Sequence, residues 1–157
     1  MLFKFVSTVA AIAVSTCMLS AYSGPEDIIP APVEYNVAEG FYTPEPDMSD
    51  VKVYLGTPEF RTRVQSLPEF AREEAYRLVV SRKGIKIYAL TEKGAFRARQ
   101  SLVMMTLLDD DVRYCDVFDY PRFRHRGIML DESRSFKGKD YIKKQIDALA
   151  LLKMNVL

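Results

Sequence analysis

The stretch from His125 to Leu157 constrains the fold most. Arg126-Gly127-Ile128-Met129-Leu130-Asp131 is a short apolar run bounded by charge, and Lys139 to Lys153 sets Ile142, Ile146 and Leu149 on one helical stripe, with Tyr141, Ala148 and Leu152 beside it. Asn155-Val156-Leu157 then opens a second apolar run. Strand, helix, strand is a βαβ unit, whose two strands must run parallel and whose crossover is right-handed in nearly all cases. Two parallel strands under one helix leave the opposite sheet face and both edges bare. The expected architecture is therefore the first βαβ piece of a (β/α)8 barrel, which needs about 200 residues or more when complete, so the chain is expected to be cut off mid-fold.

Upstream of that unit the chain reads as a small α+β domain. Five of the eight prolines fall between Pro25 and Pro46, which predicts an extended lead-in with an edge strand near Val33 to Val37. Val51 to Leu55 alternates as a half-buried strand. Tyr76 to Ser81 and Ile85 to Leu90 flank Arg82-Lys83-Gly84, a hairpin in which Leu78, Val80, Ile85 and Ile87 share a buried face. Ala95, Ala98, Leu102 and Met105 recur at helical spacing and predict an amphipathic helix over roughly Glu92 to Leu108, packed on the hairpin sheet. Asp109-Asp110-Asp111 is read as a solvated turn rather than a metal site, because consecutive carboxylates do not converge on one ion without an unusual loop. Val112 to Phe118, carrying Cys115, resumes strand character and Pro121 ends it.

Residues 1–23 carry a positively charged start, an apolar stretch and Ala21-Tyr22-Ser23 before a cut at Gly24, the pattern of a secretory signal. The run is broken by Ser7, Thr8, Ser15 and Thr16, which argues against a membrane span of about 20 apolar residues. Val14-Ser15-Thr16-Cys17 offers a rival: a bacterial lipobox, with Cys17 as a lipid anchor and the outer membrane as destination. The expected location is periplasmic or secreted. The 22 Lys and Arg nearly cancel the 21 Asp and Glu, so no basic stripe exists to hold nucleic acid. One histidine, His125, cannot build the clustered imidazoles of most zinc sites, and no His-Glu-x-x-His is present.

The stretch Tyr120-Pro121-Arg122-Phe123-Arg124-His125-Arg126-Gly127-Ile128-Met129-Leu130-Asp131-Glu132-Ser133-Arg134-Ser135-Phe136, followed by Ile146-Asp147 and Leu151-Leu152-Lys153-Met154-Asn155-Val156-Leu157, resembles the opening of the catalytic barrel in family 20 glycoside hydrolases, the β-N-acetylhexosaminidases. Ile28-Ile29-Pro30-Ala31-Pro32, Glu74-Ala75-Tyr76-Arg77-Leu78, Gly94-Ala95-Phe96 and Gln100-Ser101-Leu102 resemble the α+β domain that precedes that barrel. The implied organisation is a signal peptide at 1–23, the α+β domain at 24–119 and the start of the barrel at 120–157.

The resemblance implies a retaining exo-glycosidase acting on glycans with terminal N-acetylhexosamine. The sugar's own acetamido oxygen attacks the anomeric carbon, an Asp orients the acetamide and the adjacent Glu is the general acid and base. No cofactor or metal is implied, and that Asp-Glu pair is absent from this sequence, so the 157 residues alone are expected to be inactive. One site residue carries over: Arg126, which matches an arginine that holds sugar hydroxyls. The alternative is that Arg126 is a surface or inter-domain ion-pair residue. Asp131 and Glu132 are neighbours that face opposite sides of a strand, so they read as supporting and helix-entry groups, with Asp131 pairing Arg134. His125 reads as a packed boundary histidine. Ser135 stands where the family often has His. The alternative from another class is a non-catalytic exported α+β module that binds a glycan or a partner; the DNA after codon 157 separates the two.

Overall fold

The computed structural model describes residues 23–107, 109–134 and 136–157. Cys17 and nearly all of the expected leader, like Ser135, lie outside the described residues. Ser23, the last residue of that leader, is buried, and its carbonyl accepts from the Arg113 N–H at 3.0 Å.

Among the described residues the chain builds strands β1 (Glu34–Tyr42), β2 (Val51–Leu55), β3 (Tyr76–Ser81), β4 (Gly84–Ala89) and β5 (Val112–Asp119), with helices α1 (Pro58–Val64), α2 (Glu69–Glu74), α3 (Glu92–Met105) and α4 (Lys139–Leu151). The strands form one sheet in the order β1-β5-β3-β4-β2, antiparallel throughout except for the parallel pairing of β2 with β4. The hairpin has the expected form: Leu78 faces Ile87, Val80 faces Ile85, and Gly84 closes the turn at φ +99°, where an L side chain would be strained. The edge strand at the N-terminus runs longer than expected, to Tyr42, with a register shift between Val37 and Phe41.

Helix α3 starts at the Thr91 cap and lays Ala95, Ala98, Leu102 and Met105 on Leu78, Val80, Ile87 and Val117. Removing a Leu or Ile side chain from water contributes about 1.5–3 kcal/mol, so this layer is the main source of stability. The helix stops at Met105 rather than continuing to Leu108, and Phe96 and Leu107 are exposed. Helices α1 and α2 are not anticipated from periodicity: α1 covers the other side, where Phe60 and Val64 join Ala75 and Phe118, whereas α2 packs beside α3. Their signals are short: Thr57 caps and Pro58 takes the first helical position, ahead of Phe60 and Val64 one turn apart.

The expected strand-helix-strand unit is present in reduced form. Helix α4 crosses from Arg126 to Asn155, and among the described residues a single parallel bridge, Gly127 to Val156, joins the two runs. A one-bridge pairing gives the run after Gly127 little cover, and Met129 is 90% exposed.

Candidate functional site

A pocket of about 250 Å³ lies where the end of the sheet meets residues 120–126 and the C-terminus of α4. Pro30, Ala31, Tyr120, Pro121, Phe123 and Leu152 give it apolar walls, and Glu74, Tyr76, Arg97, Asp119, Arg126 and Lys153 supply its polar groups. Glu74 closes α2, Tyr76 opens β3 and Asp119 closes β5, so the ends of three neighbouring elements converge on one spot. With Arg122, which also lines it, four cations face two carboxylates, and of the four only Lys153 is buried, so the formal charge of the lining is positive.

Arg126 is held from three sides. Its Nε–H donates to the Lys153 carbonyl at 2.9 Å, Nη1 to the Phe123 carbonyl at 2.7 Å and Nη2 to Glu74 Oε2 at 2.5 Å. Glu74 Oε2 also accepts from Arg97 Nε at 2.8 Å, so one carboxylate oxygen serves two guanidinium groups. A guanidinium has five N–H donors. The three bonds named use three of those on Arg126. The backbone of Arg126 is fixed as well: its N–H donates to Asn155 Oδ1 at 2.9 Å and its carbonyl accepts from the Asn155 N–H at 2.7 Å.

Lys153 is 6% exposed, and its Nζ donates to Asp119 Oδ2 at 2.8 Å and to the Tyr76 hydroxyl at 2.9 Å. That hydroxyl lies 3.0 Å from Asp119 Oδ2 and 2.6 Å from Ser101 Oγ, so it donates to the carboxylate and receives from Lys153 and the serine. Burial holds the ammonium below its ordinary pKa against the opposing pull of Asp119. Burial, then the Asp119 charge, pushes the Tyr76 phenol well above its ordinary value, so the phenol keeps the proton that it donates to Asp119.

The other residues singled out in the sequence lie apart from this pocket. Asp131 pairs with Arg134 at 3.3 Å as expected, and Glu132 Oε2 accepts from the Lys137 N–H at 2.8 Å. His125 is exposed, not packed: the bridge at Gly127 is too short to bring a covering element over it. In the acidic turn, Asp109 Oδ1 accepts from the Asp111 N–H at 3.1 Å, and the Asp111 side chain accepts from the Thr43 hydroxyl. Sequence reading missed Glu74, Tyr76, Arg97, Asp119 and Lys153 as site residues. A charged residue at the end of an apolar strand or stripe was the one local signal available, at Asp119 and Lys153.

The chain is similar to known proteins over part of its length. The model of the glycosyl hydrolase family 20 catalytic domain matches residues 123–157, which include Arg126 and Lys153. The chain is 39% identical over 95 residues to beta-hexosaminidase A of Caenorhabditis elegans, covering 57% of this chain and 17% of that protein. It is 39% identical over 93 residues to N,N'-diacetylchitobiase of Vibrio harveyi, covering 57% and 10%. The chain thus spans less than a fifth of the length of these relatives. Among solved structures, Flavobacterium johnsoniae chitobiase superposes with a TM-score of 0.63 at 25% identity, over 82% of this chain and 26% of that one. A Vibrio harveyi exo β-N-acetylglucosaminidase, solved with N-acetylglucosamine, shares the fold at a TM-score of 0.63 and 24% identity, over 83% and 25%. These relatives are glycoside hydrolases with a barrel catalytic domain. Motif, fold and family model agree on one resemblance: the chain is similar to glycosyl hydrolase family 20, whose catalytic-domain model matches residues 123–157.

Proposed function

We propose that this chain serves an exported, exo-acting β-N-acetylhexosaminidase that removes terminal N-acetylhexosamine from glycans with retention, the substrate's acetamido group acting as nucleophile. Its own part is substrate binding: Arg126 presents its two remaining N–H donors to vicinal sugar hydroxyls at the pocket. The acid-base Asp-Glu pair of this chemistry is not assigned to any residue from 1 to 157, so the chain alone binds without hydrolysing. The observation that carries the reading is a charged guanidinium, 16% exposed, that lines a pocket, is fixed from three sides and lies in the family-matched stretch. A fixed fork of donors recognises paired hydroxyls at low entropic cost.

The test is a segment exchange. Residues 25–157 replace the matching stretch of the Vibrio harveyi diacetylchitobiase, and turnover of an aryl N-acetyl-β-glucosaminide is followed. The chimera is expected to be active, and Arg126→Ala in it to raise KM about tenfold or more, the worth of a charge-assisted hydrogen bond. A folded chimera whose KM is indifferent to Arg126→Ala contradicts the assignment.

A further inference from the structure

Helix α4 ends in a turn that ordinarily belongs to glycine. The Met154 N–H bonds the Leu149 carbonyl at 2.8 Å and the Lys153 N–H bonds the Ala150 carbonyl at 3.0 Å, the paired bonds of a Schellman motif, with Lys153 in the left-handed region at φ +59°. A non-glycine residue there is strained and persists only where its surroundings hold it. The hold is visible: the Lys153 side chain runs into the domain and ends on Asp119 and Tyr76. The same residue's carbonyl, turned by that backbone conformation, is the acceptor for Arg126 Nε. Side chain and carbonyl of one residue thus tie the end of β5 to the guanidinium.

We infer that Lys153 is the positioning residue of this site: its ion pair with Asp119 pins the left-handed turn and so aims the Lys153 carbonyl at Arg126, setting the direction in which Arg126 offers its free donors. The inference rests on the sugar-binding reading of Arg126 for its consequence, though not for its geometry. Glu74 and the Phe123 carbonyl hold the two terminal nitrogens and leave rotation about their common axis to be fixed by the Nε bond. Losing that bond therefore mis-aims the group without releasing it.

The experiment compares the full chain with the double variant Asp119→Asn/Lys153→Met, which replaces the buried pair by neutral groups of similar size and leaves no unpaired charge. Such replacements of a buried ion pair often preserve folding. The Arg126 Nε–H resonance in a nitrogen-15 spectrum and the affinity for N-acetylglucosamine are both read. In the double variant we expect the resonance to move to the position and exchange rate of a solvent-exposed arginine, and the affinity to fall about tenfold, as for a lost hydrogen bond to a charged group. The single variant Lys153→Gly relieves the strain while removing the ammonium, and is expected to show the same loosening of Arg126. A double variant that folds with the Arg126 resonance unmoved overturns the inference. If the wild-type chain shows no sugar binding but the resonance still moves, the positioning stands and the sugar-binding reading falls instead.

Discussion

A Cβ added to Gly127 would stand 2.4 Å from the carbonyl oxygen of Val156, with no flexible side chain between them to yield. The parallel contact that joins the two ends of the βαβ unit depends on that closeness. Gly127→Ala is therefore expected to push Val156 away and to weaken the Asn155 bonds to Arg126 one residue earlier. Overpacking of this kind costs about 1–3 kcal/mol, readable as a drop in the urea midpoint of the purified chain. An unshifted midpoint would show that the bridge is not formed in solution.

Glu74 and Asp116 each pair with arginine, and their different exposure predicts different costs. Glu74 and its partners Arg97 and Arg126 are 12–16% exposed, so Glu74→Ala strands two guanidinium groups and is expected to cost about 3–5 kcal/mol. Asp116 and Arg77 are 37% and 41% exposed, so Asp116→Ala is expected to cost about 1 kcal/mol or less, with screening by salt. Denaturant unfolding of the two variants side by side checks the contrast.

Tyr76→Phe keeps the ring in the core and removes the hydroxyl that Ser101, Asp119 and Lys153 share. Because Lys153 and Asp119 keep each other as partners, the expected cost is about 1–3 kcal/mol rather than collapse of the fold. Thermal unfolding of the variant measures it.

Alkaline pH should destabilise the chain in two steps. Burial pushes the Cys115 thiol up to about 12 from the ordinary 9.0, and the Tyr76 phenol also titrates higher in the folded chain than in the unfolded one. Between those values the folded state binds more protons than the unfolded state, so the stability they contribute is complete below pH of about 9 and falls above it by up to about 1.4 kcal/mol per unit for each group. Lys153, lowered in the folded state, acts with the opposite sign up to its ordinary pKa and offsets part of the fall. In Cys115→Ala the decline is expected to begin about one unit later, where Tyr76 takes over; midpoints measured across alkaline pH show whether it does.

The sequence made the hairpin, the buried stripe of α3 and the crossover helix α4 legible because each repeats an apolar residue at a fixed period. Arg126 was legible through motif resemblance alone. Its surroundings were not: Glu74, Asp119 and Lys153 lie far apart along the chain, and nothing periodic links them. Helices α1 and α2 are too short to show a period, leaving the Thr57-Pro58 cap as their chief signal. The packing expected of His125 failed because it presumed a ladder longer than the single bridge at Gly127.

The most direct measurement is a titration of the nitrogen-15 labelled chain with N-acetylglucosamine, following the Arg126 side-chain N–H signals. The account predicts a saturable shift in the millimolar range, centred on Arg126 and the pocket-lining residues Phe123 and Leu152, and lost in Arg126→Ala. Signals at Arg126 that stay fixed at saturating sugar, in a chain shown to be folded, would contradict it.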